Sequence, residues 1–241
     1  MIKKYLKYLK NNNYSINTIK TYKSILEIYC SDLDDLRKIK TRLRGYFSSP
    51  ATARLHYSVI SSYMKWNKDK RVDKLKQIKI PPISYKYFDV FNYKYLELKT
   101  RILNDDSENI IIKKMIIKFL FETGIRAEEL KNIIEIKKDT IIILGKGNKK
   151  REIFYKKNTF DKMGFPFLYS TKTLRLWVKE ILGCEFTPHS IRRSFATHLL
   201  KNGANAKFVM LQMGHEKIET TFRYLHLNLK ENQKEYNKFF K

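Results

Sequence analysis

Hydrophobic positions recur every three or four residues through the first third of the chain, the spacing of one buried stripe on an α-helix. Ile2, Tyr5, Leu6 and Leu9 mark a first face. Ile19, Tyr22, Leu26 and Tyr29 mark a second, with Ser15 placed to cap it. Leu36, Ile39, Leu43, Tyr46 and Phe47 trace a third. In "SSPATARLHYSVISSYMKW", Ser49 stands at the N-cap and Pro50 at the first helical position, and Leu55, Val59, Tyr63 and Trp66 predict the buried stripe. Residues 1–80 therefore read as a helical bundle. "IKIPPIS" then interrupts helix propagation twice, because proline lacks a backbone N–H and fixes φ. Residues 81–90 read as a linker and 91–241 as a second domain.

The second domain mixes periods. Helices are expected over 93–103 and, strongly apolar, over 108–122, the latter stopped by Gly124. "RAEELKNII" predicts the start of another helix. "TIIILGKGNKKREIFY" predicts a β-hairpin: a β-branched run, a Gly-Lys-Gly-Asn turn and a second short strand. A helix carrying Leu174, Trp177, Val178 and Ile181 should stop at Gly183, and one opened by Thr187 and Pro188 should stop near Gly203. Two more are expected around 208–213 and from about 219 onward. The fold class is mainly α with a small β-sheet, a helical domain followed by a mixed α/β one.

Charge narrows the class of partner. Fifty Lys and Arg against 24 Asp and Glu leave a net +26, which favours a polyanion. Lys, Ile, Asn and Tyr are all abundant, as AT-rich coding would give, yet the charge acts on any nearby phosphate whatever its origin. Nucleic acid is the first partner to consider; an anionic membrane surface is second, and no strongly amphipathic basic helix supports it. A hydrophobic content of 43% excludes wholesale disorder. Cys30 and Cys184 are too few and too far apart for a disulfide framework or a zinc site. The opening Met-Ile-Lys-Lys lacks the apolar core of a signal peptide, and the most apolar run, 110–121, is broken by Lys113, Lys114 and Lys118. A soluble, cytoplasmic protein is the expectation.

Three stretches carry candidate chemistry. In "TGIRAEEL", Arg126 follows a Gly turn at an expected helix start, and Glu129 falls three residues on, able to orient the guanidinium. Taken alone, that pair reads as a surface ion pair. In "TPHSIRRSFATHLL", Thr187 caps, Pro188 begins the helix, and His189 and Arg192 aim an imidazole and a guanidinium at one point. His198 falls among apolar positions and reads as a packing histidine. In "LQMGHEKIETTFRYLH", His215 sits in the turn after Gly214 and Tyr224 follows nine residues later. A phenol has a reference pKa of about 10 and becomes a useful nucleophile only where cations stabilise its anion. "GKGNKK" lacks the spacing and the Ser or Thr of a P-loop, so no ATP site is expected.

With "TGIRAEEL", "GKGNKKR", "HSIRRSFATHLL" and "GHEKIETTFRYLH" in this order and spacing, the chain resembles the tyrosine recombinases of the phage-integrase family, closest in layout to the short Xer type. "NYSINTIKTYKSIL" in the amino-terminal bundle resembles that family's core-binding domain. The resemblance implies that Arg126 and Arg192 clamp the scissile phosphate and that Lys146, in the hairpin turn, protonates the leaving 5′-oxygen. By the same match His189 and His215 hydrogen-bond the phosphate, Glu129 supports the site from its edge, and Tyr224 is the nucleophile. Arg193 stands where the family more often has His, and a DNA or structural contact is expected of it; Lys20, Lys23, Arg42, Arg44 and Arg54 are candidate DNA contacts of the bundle. The implied partner is double-stranded DNA with a specific core site, bound by four protomers on two duplexes, with a monomer or dimer free in solution. No cofactor and no metal are implied. After Tyr224, "NLKENQKEYNKFFK" offers Tyr236, Phe239 and Phe240 either for docking on a neighbouring protomer or for packing on its own domain. Two rival functions share these features: a DNA-binding regulator that has lost the reaction, and a nicking enzyme like the type IB topoisomerases.

Overall fold

A computed structural model describes residues 1–83, 90–217 and 220–221. The chain divides into two compact units, Met1–Lys86 and Tyr87–Lys241.

The first unit is helical: α1 (Ile2–Asn11), α2 (Ile16–Ile28), α3 (Leu36–Arg44), α4 (Pro50–Trp66) and the single turn α5 (Val72–Leu75). Ser15 caps α2 by accepting the Thr18 N–H at 3.1 Å, and Asp35 caps α3 through the N–H groups of Arg37 and Lys38. Tyr5, Leu9, Leu26, Tyr29, Ile39, Val59 and Ile60 fill the core. In α4 the positions of Ser49 at the N-cap and Pro50 at the first turn hold, and the expected buried stripe does not hold at Leu55. The Ser49 hydroxyl makes no cap bond to the backbone and pairs instead with Thr52 Oγ1 at 2.9 Å. Leu55 is exposed, because the buried face turns through Ala53, His56, Val59, Ile60, Tyr63 and Met64. The buried His56 ring sits between Tyr46 and Tyr29, whose hydroxyl lies 3.3 Å from its Nδ1, and it takes the place the Leu55 stripe was expected to fill.

The second unit begins with α6 (Tyr93–Thr100) and α7 (Glu108–Thr123). Ser107 caps α7 through the Ile110 N–H, and Gly124 ends it in the left-handed conformation, φ 64°. Next comes a 3₁₀ turn (Ala127–Asn132) and then a strand, β1 (Ile133–Ile136), rather than the expected helix. The β-branched run from Ile133 pairs with the strand that follows, and that pairing overrides the helical reading of "RAEELKNII". The sheet is therefore three-stranded, antiparallel, in the order β1, β2 (Thr140–Leu144), β3 (Lys150–Phe154). Ile141, Ile143 and Ile153 point into the core, whereas Ile134 and Ile136 of β1 are exposed.

Four helices complete the unit: α8 (Lys157–Lys162), α9 (Thr171–Leu182), α10 (Pro188–Lys201) and α11 (Ala206–Met213). Thr187 and Ser190 cap α10 reciprocally, each side chain meeting the other's backbone N–H at 3.2 Å. α7 is buried along most of its length and packs against α10 and α8. Gln212 of α11 ties that helix to β3, accepting the Phe154 N–H at 3.1 Å and donating to the Phe154 carbonyl at 2.8 Å. His198 stacks on Tyr93 with ring centroids 5.4 Å apart, the packing role expected of it. No helix among the described residues is long and apolar enough to cross a membrane.

Candidate active site

The ends of α7, α10 and α11 meet at Arg192. The residue is 2% exposed, and its guanidinium donates to the Gly124 carbonyl at 2.5 Å and the Met213 carbonyl at 2.6 Å. Both carbonyls belong to helix C-terminal ends, where the backbone dipoles concentrate negative charge and favour a cation. Arg126 lies at the N-cap of the 3₁₀ turn, half-buried. Its Nη1 donates to Glu129 Oε1 at 2.9 Å and its Nη2 to the Gly214 carbonyl at 3.4 Å. The expected helix start does not leave an open anion site here, because the Arg126 N–H is taken by Glu129 Oε2 at 2.7 Å.

Glu129 is buried and serves two arginines. Arg151 of β3 forks onto it, Nη1 to Oε1 at 2.9 Å and Nη2 to Oε2 at 2.7 Å. Burial alone would raise the Glu129 carboxyl, but the hydrogen bonds from Arg151 and Arg126 outweigh it and hold the group below the usual carboxylate range. The pair is thus one side of a three-residue cluster built on a buried carboxylate, with Arg126 reaching solvent. Arg151 was missed by motif reading, since it ends a run of lysines. The period of two in the strand would have found it: Arg151 lies opposite Ile143 and two residues before the buried Ile153, so it faces inward.

Two clefts open on this cluster and share Arg126 as a wall. One, of about 480 Å³, is lined by Arg126, Gly145, Lys149, Arg151, Gly214 and His215 among others. The other, of about 640 Å³, is lined by Arg126, Thr171, Arg175, His189 and Arg192 among others. Arg126, Arg192, His189 and His215 are therefore gathered about one place, with Glu129 behind them. Arg193, beside Arg192 on α10, is half-buried. The side chain of Lys146 and the whole of Tyr224 lie outside the described residues, as do most of the expected last helix and the segment holding Tyr236, Phe239 and Phe240. Among the described residues, no group of three or more His, Cys, Asp or Glu side chains could hold a metal ion.

Both imidazoles are biased towards the neutral form. Burial first, then the positive charges of Arg192, Arg126 and Arg151, pull the His215 pKa from 6.5 down to about 4. Its Nδ1 lies 2.8 Å from Thr221 Oγ1. His189 reaches solvent as a residue, yet partial burial of its ring, followed by the charges of Arg193, Arg192 and Arg126, also lowers its pKa. A base whose folded pKa is lowered takes up its proton in the unfolded chain first, so stability falls as pH drops below 6.5 towards about 4. Titrating the His215 ring by NMR should give a midpoint near 4. A midpoint at 6.5 would mean that the arginines do not crowd this ring.

Comparison with known proteins gives several likenesses. The phage integrase family matches residues 169–231. A tyrosine recombinase XerA of Pyrococcus horikoshii is 28% identical, the match covering 95% of this chain and 90% of the relative. A tyrosine recombinase XerD of Staphylococcus saprophyticus is 27% identical over 99% of this chain and 98% of its own. Among solved structures, a λ integrase dimer bound to a core site superposes with a TM-score of 0.74 at 16% identity, covering 91% of this chain and 95% of that one. XerH bound to a palindromic difH substrate, in a post-cleavage complex, gives 0.69 at 21% identity, covering 100% and 84%. These likenesses place the fold among tyrosine recombinases, mostly helical with one small sheet. Residues 169–231 thus resemble the phage integrase family, and over nearly its whole length the chain is similar to Xer tyrosine recombinases.

Proposed function

We infer that this chain is a site-specific DNA recombinase that cuts and rejoins duplex DNA through a 3′-phosphotyrosyl intermediate. The observation that supports the residue roles best is the position of Arg126 in the wall common to both clefts, which brings it to Arg192 and His189 on one side and His215 on the other. Two fixed guanidiniums answer the charge that builds on a phosphate's non-bridging oxygens. The Tyr224 oxygen forms a bond to phosphorus as the bond to the 5′-oxygen breaks. A neutral imidazole takes the phenol proton, and Lys146 supplies one to the departing 5′-oxygen. The ester is conserved in the adduct, so a 5′-hydroxyl from a second duplex reverses the step without a nucleotide. A neutral His215 ring whose Nδ1 accepted from Thr221 Oγ1 would carry its proton on Nε2, ready to donate to a phosphate oxygen.

The bundle's exposed Lys20, Lys23, Arg44 and Arg54 are placed on its surface to neutralise DNA phosphates. Arg42 has a second occupation, a very short ion pair with the buried Asp32 carboxylate. In this reading four protomers act on two duplexes. The test is trapping on a nicked suicide duplex pool in EDTA, with sequencing of the captured strands. A covalent adduct on a recurring core sequence is expected. Binding without any adduct would favour a regulator, and site-independent plasmid relaxation a type IB topoisomerase-like enzyme.

A further inference from the structure

We propose that Arg151 is a positioning residue for cleavage: wedged between Gly145 and Gly214 and forked onto Glu129, it holds Arg126 and the turn bearing His215 towards one phosphate. The inference rests on the recombinase reading above, and goes beyond it by giving a role to a residue that reading leaves without one.

Register starts the case. Arg151 stands opposite Ile143 on the inner face of the sheet, so its side chain is aimed under the site while the neighbouring Lys149 and Lys150 are exposed. The Glu129 carboxylate then receives four N–H groups, two from Arg151 and two from Arg126, at 2.7–2.9 Å. Removing Arg151 withdraws half of them and leaves a buried carboxylate free to turn. Two glycines report how closely the guanidinium is enclosed. A Cβ on Gly145 would stand 2.7 Å from Arg151 Nη1, and one on Gly214 2.7 Å from its Cζ. Both turns are therefore shaped around this one side chain. Gly214 also offers its carbonyl to Arg126 and is followed by His215, so a shift of Arg151 reaches both residues through the backbone.

Stability is a weak reason for such an arrangement. Buried ion pairs gain little over apolar packing, and the Arg151 Nε is buried without a hydrogen-bond partner. Fixing geometry is the stronger reason, because a displacement of about 1 Å in a reacting group costs about 10²-fold in rate. The charge of Arg151 also contributes to the lowered pKa of His215, after burial and the two other arginines.

The experiment measures single-turnover cleavage at saturating suicide duplex, DNA affinity and the unfolding midpoint for R151Q, R151K, E129Q and R151Q/E129Q. R151Q should lose about 10²-fold in cleavage rate with its DNA affinity unchanged. R151K should recover little of this, since an ammonium keeps the charge but cannot span both carboxylate oxygens. In the E129Q background the change at Arg151 should cost far less than in the wild type. Should R151Q fail to fold, R151K carries the same comparison. Wild-type cleavage by a folded R151Q or R151K, or losses at the two sites that simply multiply, would overturn the proposal. If the wild type itself forms no adduct, the recombinase reading fails first, and positioning is then judged from the His215 ring signals. A midpoint that rises above about 4 in R151Q supports it, and one that stays in place ends it.

Discussion

Changing Tyr224 to Phe should abolish the covalent protein–DNA adduct and leave duplex binding intact. The substitution removes one oxygen and keeps the ring, so packing changes little while the only atom that could join phosphorus is lost. Affinity for DNA comes from cations on phosphates, and the chain's +26 charge is untouched. The expectation follows from the motif, since Tyr224 lies outside the described residues. The proposed function gives a phenol a physical reason. With His189 and His215 both held towards the neutral form, the positive charge that stabilises a phenolate and an in-line phosphate must come from the arginines. The measurement is denaturing electrophoresis of an end-labelled suicide duplex after incubation, beside a mobility-shift titration of the same duplex. An adduct that survives in Y224F would assign the nucleophile to another residue. Loss of adduct together with loss of binding would show a broken fold instead of missing chemistry.

What could be read from the chain before its structure was unequal along its length, for physical reasons. Helix signals that rest on local chemistry were legible: the Ser15 cap, the Gly124 stop, and Thr187 with Pro188 opening α10 each act within a few residues. β1 was not legible, because Ile133, Ile134 and Ile136 satisfy a helical pattern as well as a strand pattern, and only pairing with β2 decides between them. Leu55 failed for a related reason. A 17-residue helix offers several apolar stripes, and tertiary contact through His56 and Ile60 selected one of them. Within the site, spacing made Arg126 and Glu129 partners but concealed the burial of Glu129 and its second partner, Arg151, 22 residues further along the chain. Distance along the chain is the obstacle. Motifs name the residues that gather, and only the fold says which carboxylate holds which guanidinium.

Arg192→Lys should lower the cleavage rate at saturating DNA by about 10³-fold or more, the range associated with an arginine that neutralises a phosphoryl transition state. Lysine preserves the charge, so Coulomb attraction to DNA persists and binding should weaken little. Geometry is what disappears. The guanidinium plane reaches two carbonyls that end two different helices, Gly124 after α7 and Met213 at the end of α11, and so fixes its own orientation by both. A single ammonium on a flexible stem cannot meet both and also face a phosphate in a defined direction. The carbonyl left unpaired in a 2% exposed site costs about 1–3 kcal/mol, which should lower the unfolding midpoint by a few degrees. That thermal cost separates two explanations of the lost rate. If rigidity alone mattered, cleavage at low temperature, where R192K is fully folded, would return to the wild-type value. If Arg192 meets the phosphate, the deficit persists at every temperature at which the protein is folded, and DNA saturation does not relieve it. A folded R192K that cleaves at the wild-type rate would leave Arg192 as a structural tie between helix ends and move the clamp to Arg126 alone.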